Sequence, residues 1–366
     1  MKKILSILLA ATLLFSLTAL AACGKKEQAS GHEIALVTDV GNIDDKSFNE
    51  ASWNGVKAFA EEKGVTYAYY RPSEDSTAAR LETIGTAIDK GAKVVVCPGY
   101  LFEDAIFEAQ TKYPDVQFLL LDGEPHTPDY STYKTESNVH CILYKEEQAG
   151  YLAGYAAVMD GYTKLGFCGG MAVPAVIRFG YGFVQGAEAA AKELGLAKDA
   201  VQIKYWYSGG FGPTDDIRTK MDGWYTDGTE VVFACGGALY LSVVAAAEAA
   251  GGKVIGVDVD QASVSPLVIT SAMKELANSV KLALGDLYGN GLKWPANLAG
   301  ATAVLGAAEK CVGLPTAADS WRFKTFTVEQ YNALFEKLVS GAVVVDNSAD
   351  PENPPKTDVV TVDYQG

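Results

Sequence analysis

The chain spells one strand–helix unit twice, and that repetition confines it to paired parallel sheets. In the first half, the apolar run Ile34–Val37 reads as a strand, followed by a loop, a helix over Asn49–Glu62 containing Gly55, and a strand over Thr66–Tyr70. A strand over Lys93–Cys97 ends in Gly99, a helix falls near Glu103–Lys112, and a strand over Gln117–Leu121 ends in Asp122. The second half repeats the order: strand Leu165–Cys168, loop, helix Gly182–Leu194 containing Gly186, strand Gln202–Trp206. Strand Val231–Cys235 then ends in Gly236-Gly237, helix Leu239–Ala250 follows, and strand Lys253–Val257 ends in Asp258. Gly55 to Gly99 is 44 residues and Gly186 to Gly236 is 50; Gly99 to Asp122 is 23 and Gly236 to Asp258 is 22.

Alternating strands and helices predict parallel sheets with helical crossovers. Such crossovers put every strand C-terminus on one edge of its sheet. Each half therefore gathers an aromatic-bearing loop, a Gly turn and an Asp on one edge. Two lobes facing each other across those edges make a hinged binding cleft. Two Rossmann-like domains without a shared cleft fit the same pattern, but leave these polar groups with no common target. The expected fold class is α/β, with two Rossmann-like lobes of parallel-sheet core joined by hinge crossovers. Residues 33–141 with about 271–313 are assigned to lobe 1, and about 142–270 with 314–366 to lobe 2. Late elements are read as a strand at Leu267–Thr270, a helix near Met273–Tyr288, and strands at Ala301–Leu305, Val343–Val345 and Val359–Val362. Thr327-Val-Glu-Gln330 reads as a capping box that starts a helix ending before Gly341.

The segment Leu36–Gly55 is the most informative stretch. Its strand stops at Asp39, and Asp45-Lys-Ser-Phe-Asn49 opens the next helix, which Gly64 ends. A carboxylate, a ring and an amide thus meet at a strand end, the usual ligand crevice of open α/β sheets. Phe48 also fits as a plug over the core, and Asp45 or Ser47 as helix caps.

Lys2 and Lys3, the apolar run Ile4–Leu20 and Leu20-Ala-Ala-Cys23 read as a secretory leader with a lipobox-like end. Residues 1–22 are expected to be removed, Cys23 to be acylated, and residues 23–32 to form a tether. The protein would then sit on the extracytoplasmic face of the cell membrane, held only by its lipid anchor. A net charge of −15 argues against a nucleic-acid partner, which needs clustered Lys and Arg. Cys97, Cys141, Cys168, Cys235 and Cys311 are odd in number and include no CxxC pair. Buried free thiols are the expectation at Cys97, Cys168 and Cys235, and neither zinc nor a redox site has support.

Catalysis lacks its usual signs. His32, His126 and His140 are scattered, and no metal motif, P-loop or GxSxG occurs. Gly180-Tyr-Gly-Phe-Val-Gln-Gly186 has GxGxxxG spacing, not that of a dinucleotide loop. No cofactor is expected. Aromatic rings for a planar base, with carboxylates and a lysine for sugar hydroxyls, favour a binding role.

Asp39-Val-Gly-Asn-Ile-Asp-Asp-Lys-Ser-Phe-Asn49, Trp53-Asn-Gly55, Gly256-Val-Asp-Val-Asp-Gln261 and Val268-Ile-Thr-Ser-Ala-Met-Lys274 closely resemble the basic membrane protein family, also called the purine nucleoside receptor family. Ala172–Phe183 belongs to the same resemblance, which extends from about Ile34 to at least Asn278. The resemblance implies a type I periplasmic-binding-protein fold and a lipid-anchored substrate-binding protein of an ABC importer. It implies a purine nucleoside ligand, an ABC permease as partner and a monomer. Riboflavin is the alternative ligand. A nucleoside-sensing receptor and a nucleoside-processing enzyme are the alternative roles. Position by position, Phe48 and Phe211 would stack on the base, and Asp122 and Asn49 would address its edge, with Asp39 nearby. Gly237, Asp258 and Lys274 would hold the ribose, and Asp260 would orient Lys274 or the hinge. The Phe211 segment, Phe-Gly-Pro-Thr-Asp, departs from the family's usual Phe-x-Asp-Pro, so Trp206 competes with Phe211 as the second ring. By residue type alone, Asp122 and Asp258 also fit as turn caps, Lys274 as a solvated helix residue and Arg178 as half of a surface ion pair.

Overall fold

Continuous apolar runs form most of the inner strands, as expected where a sheet is covered on both faces. The computed structural model describes residues 31–365. The expected leader, Cys23 and all but the end of the tether lie outside the described residues.

The first half contains β1 (Ile34–Val37), α1 (Phe48–Lys63), β2 (Tyr67–Tyr70), α2 (Thr77–Asp89), β3 (Val94–Pro98), α3 (Glu103–Lys112), β4 (Gln117–Leu121) and β5 (Val139–Tyr144). The second contains α4 (Glu146–Met159), β6 (Lys164–Gly169), α5 (Pro174–Glu193), β7 (Val201–Tyr207), α6 (Asp215–Thr226), β8 (Val231–Cys235), α7 (Tyr240–Ala250), β9 (Lys253–Asp258) and β10 (Val268–Lys274). The chain ends with α8 (Leu276–Gly289), β11 (Thr302–Leu305), β12 (Val312–Gly313), α9 (Val328–Val339) and β13 (Val360–Gln365).

The repetition is visible in the topology. One sheet runs β2-β1-β3-β4-β5-β11 and the other β13-β7-β6-β8-β9-β10-β12, so β13 is an addition to the same order. All pairings are parallel except β10 with β12. The chain passes between the sheets after Tyr144, after Lys274 and between Leu305 and Val312. These passages are laced together: Lys145 N–H donates to the Leu305 carbonyl and Glu275 N–H to the Cys311 carbonyl, both at 2.9 Å.

Some sequence boundaries shift. β5 stays in the first sheet to Tyr144, and β10 and β12 lie wholly in the second. The passages thus fall at the cleft ends of these strands rather than at 142, 271 and 314. The helix expected near Met273 begins at Leu276, because Met273 and Lys274 are paired in β10. Val343–Val345 forms no strand, and Val344 is 86% exposed. The capping box at Thr327 and Gln330 is present in full.

Glycines weld α4 to α5. A Cβ at Gly150 or Gly154 would sit 2.0 Å from the carbonyl oxygen of Phe179 or Phe183, and one at Gly186 would sit 2.0 Å from that of Tyr151. The Gly180–Gly186 segment lies inside α5, where Gly182 and Gly186 serve this helix contact and Gly180 faces Tyr205 and Phe167 of the sheet. Gly55 does the same for α1, where a Cβ would lie 2.5 Å from the Ala277 carbonyl at the start of α8. All five cysteines of the described residues are free and buried.

Candidate functional site

Both sheets change strand direction of succession beside their first strand, between β1 and β3 and between β6 and β8. The loops leaving such a switch point diverge and open a crevice. Here the crevices of the two sheets join in one cavity of about 260 Å³. Asp39, Phe48, Asn49 and Asp122 line it from the first sheet's edge, and Phe211, Gly237, Asp258 and Lys274 from the second's.

The first rim is organised by Asp45. Its carboxylate accepts the N–H groups of Ser47, Asn49 and Glu50 at 2.9, 3.1 and 3.0 Å, and so caps α1. Burial pushes Asp45 up to about 6. Asn49 donates its amide to Asp39 at 2.8 Å and to Asp45 at 3.2 Å, while Asp39 N–H donates to Asn49 Oδ1 at 3.3 Å. Both donors of Asn49 are therefore used in holding the loop, and Oδ1 keeps one lone pair. Asp39 also accepts Gly41 N–H at 2.6 Å, and burial raises its carboxyl above the ordinary range. Phe48, half-buried at the first turn of α1, rests against Gly99, where a Cβ would lie 3.6 Å from the ring.

The second rim is built around backbone. Phe211 lies over Gly170, Gly236 and Gly237, where added Cβ atoms would come within 2.4, 2.8 and 2.8 Å of it. Gly236 has φ 138 and Gly99, its counterpart on the first rim, φ 114, conformations that favour glycine. Trp206 does not line the cavity; its ring lies under Lys220, whose Nζ is 4.8 Å from the ring centroid.

Asp122 and Asp258, at the matching ends of β4 and β9, both adopt left-handed backbone, with φ 57 and 64. Such strain in non-glycine residues gathers at functional sites. Between them lies Lys274, the last residue of β10, 4% exposed. Its ammonium donates to Asp122 Oδ2 at 2.5 Å and Glu146 Oε1 at 3.4 Å, and stands 3.8 Å from Asp258 Oδ1. The same nitrogen lies 4.7 Å from the centre of the Phe48 ring. Burial works against its charge, yet Asp122, Glu146 and Asp258 hold its pKa above the ordinary lysine value. Burial pushes Asp122 up to about 7, against the pull of Lys274. Asp122 Oδ1 is buried without a hydrogen-bond partner, in a residue that lines the cavity. Arg178 completes the cluster through Glu146 Oε2, at 2.7 Å. It is thus an inward ion pair rather than a surface one.

Asp260 takes no part: it accepts Ala262 N–H at 3.0 Å and the Ser320 hydroxyl, and makes no bond to Lys274. Glu146 is a member of the cluster that sequence reasoning missed, because α4, which it opens, is buried on nearly all sides and shows no polar stripe. Arg71 and Tyr100 also line the cavity. Both follow strand ends, so topology could have found them. His32, His126 and His140 do not line it, and among the described residues no group of three or more His, Cys, Asp or Glu is placed to hold a metal. The arrangement offers aromatic faces, acceptors and one ammonium, which suits a flat ligand bearing hydroxyl groups.

A family model described as ABC transporter substrate-binding protein PnrA-like matches residues 33–348. An ABC transporter nucleoside-binding protein BmpA of Lactococcus lactis is 29% identical over 311 residues, 76% of this chain and 83% of its own. Basic membrane protein A of Borreliella burgdorferi is 30% identical over 287 residues, 77% of this chain and 79% of its own. Among solved structures, an ABC transporter solute-binding protein from Aeropyrum pernix aligns with TM-score 0.73 at 21% identity, covering 88% of this chain and 95% of that one. That likeness bears on the fold, which is the two-lobed fold of periplasmic binding proteins.

Proposed function

We propose, from the premise that this chain belongs to the family of PnrA-like ABC-transporter substrate-binding proteins, that its cleft binds a purine nucleoside and hands it unchanged to an importer permease. The observation that carries this reading is the joint cavity: one ring from each lobe, Phe48 and Phe211, with Asp122, Asp258 and Lys274 on the same walls. A base between rings gains about 1–3 kcal/mol per stacking contact. The unpartnered Asp122 oxygen would accept a donor from the base edge. Lys274 has bonds to two carboxylates, leaving one of its three N–H groups for a ribose oxygen. Asp258 would accept from a ribose hydroxyl. The nucleoside-binding name carried by the Lactococcus lactis relative points the same way.

A cavity of about 260 Å³ is small among ligand sites. That favours a nucleoside over riboflavin, whose tricyclic ring and ribityl chain need more length. Ligand binding would shift the lobes toward the closed form, which requires unequal affinity for the open and closed states. Acylation of Cys23 would keep the protein at the outer face of the membrane beside its permease.

Calorimetric titration of the purified protein with nucleosides, free bases, ribose and riboflavin tests the reading. Nucleosides are expected to bind and ribose alone to fail. Binding of ribose or riboflavin without nucleoside binding would overturn it, as would nucleoside affinity that survives Phe48→Ala combined with Asp258→Ala. Uptake of labelled nucleoside that depends on a permease separates import from sensing.

A further inference from the structure

The lobes also touch through Gln261, Lys46 and Ser47, which do not line the cavity. Gln261 is buried in the second lobe, 1% exposed. Its Oε1 accepts Val257 N–H at 3.1 Å, and its own N–H donates to Ser271 Oγ at 3.0 Å. The Val257 bond fixes the amide orientation, because a flipped amide would set donor against donor. Nε2 therefore points out of the lobe and donates to the Lys46 carbonyl of the first lobe at 2.9 Å. Lys46 has φ 48, and its N–H is tied to Glu50 Oε2 at 2.9 Å. The next residue, Ser47, occupies the N-cap of α1 but makes no capping bond. Asp45 has taken over that role, and the Ser47 hydroxyl instead donates across the cleft to Asp258 Oδ2 at 2.6 Å.

We infer that Gln261 is a positioning residue, a preset latch that holds the closed form by gripping the Lys46 carbonyl without touching the ligand. Gln261, Lys46 and Ser47 all stand outside the cavity lining. Closure energy from such a contact is added to the affinity for every ligand alike, since it changes the population of the closed state and not its contacts. The latch rests on the bonds that join the lobes, Gln261 to the Lys46 carbonyl and Ser47 to Asp258, and only the titration below rests on the nucleoside reading.

The test uses the full chain carrying Gln261→Glu, which keeps the acceptor for Val257 N–H and removes the donor to Lys46. Gln261→Ala is the second variant, should a buried glutamate prevent folding. In titrations with adenosine, guanosine and inosine, affinity is expected to fall about tenfold, by one common factor. In the ligand-free protein, amide hydrogen exchange is expected to quicken across Asp39–Asn49 while the strands of the second lobe keep their protection. Wild-type affinity and exchange in the variants would overturn the inference. A changed preference among the nucleosides would overturn it too, by making Gln261 a ligand contact, and faster exchange throughout the second lobe would make it merely structural. If the wild type binds no nucleoside, the functional reading fails, and the exchange measurement still decides the latch.

Discussion

Replacing Lys274 by methionine keeps the packed stem and deletes the ammonium. Three carboxylate oxygens stand 2.5, 3.4 and 3.8 Å from that ammonium. At an effective dielectric of about 20, each pair attracts by roughly 4–7 kcal/mol before desolvation is counted. The variant loses these attractions but need not suffer their sum, because an abandoned carboxylate can take up a proton. Burial already pushes Asp122 up to about 7, and raises Asp258 above its ordinary range. Burial also raises Glu146, but Arg178 and then Lys274 outweigh it and hold that carboxyl low. Arg178 remains in the variant. The expected loss is therefore that of breaking one buried pair, about 3–5 kcal/mol at pH 8.

The pH dependence follows from linkage. Without Lys274, the folded-state values of Asp122 and Asp258 climb further above their unfolded values, so the folded state binds more protons at neutral pH. Stability falls as pH rises through those raised values and is recovered toward about pH 4, where the unfolded carboxyls also protonate. Urea unfolding followed by tryptophan fluorescence at pH 5 and pH 8 measures both effects. A loss below about 1 kcal/mol at pH 8, or the same loss at both pH values, would refute the electrostatic account.

At the helix weld, Gly154→Ala places a methyl 2.0 Å from the Phe183 carbonyl, so α4 and α5 must part; a destabilisation of about 3 kcal/mol or more is expected in thermal unfolding. Glu188 accepts Asp358 N–H at 2.9 Å and Val360 N–H at 2.8 Å. Burial raises its carboxyl, but these amides outweigh burial and hold it low. Its contribution is thus present above the unfolded value and lost as pH falls; Glu188→Gln is expected to cost about 1–2 kcal/mol at pH 7 and to converge on wild type below about pH 4. Phe211→Ala is expected to weaken nucleoside binding about 10- to 100-fold by calorimetry, whereas Trp206→Ala, outside the cavity, leaves it unchanged. Thiol titration is expected to show the five cysteines of residues 31–365 unreactive in the native protein and all reactive in denaturant.

The inner strands β1, β3, β4, β6, β8 and β9 were legible because both of their faces are covered, which makes them plain apolar runs followed closely by Gly or Asp. The doubled pattern also placed Asp122 and Asp258 on facing rims. What escaped was structure without periodicity. The first twelve residues of α4 except Gln148 are buried, so no polar stripe marks it as a helix. α5 starts at Pro174, eight residues before the expected start, because its buried first turns show no alternation of polar and apolar faces. Missing α4 meant missing Glu146, the one carboxylate of the lysine cluster that comes from a passage between the lobes. The division of labour between Asp45 and Ser47 was illegible for another reason. Both residue types cap helices equally well, and only the position of Asp258 in the facing lobe decides which of them is released for another bond.

The glycine seat beneath Phe211 bears on how a cleft like this can change its taste. A wall of side chains can be retuned by exchanging one for another, since each brings its own rotamers and volume. Gly170, Gly236 and Gly237 offer only main chain, and any replacement there collides with the ring or its backbone. That wall can be broken but hardly adjusted. On the opposite rim, Asn42, Arg71 and Tyr100 line the cavity with side chains carried on loops, which can be exchanged without displacing a packed ring. One jaw acts as a fixed anvil, and the other carries the side chains that can be exchanged.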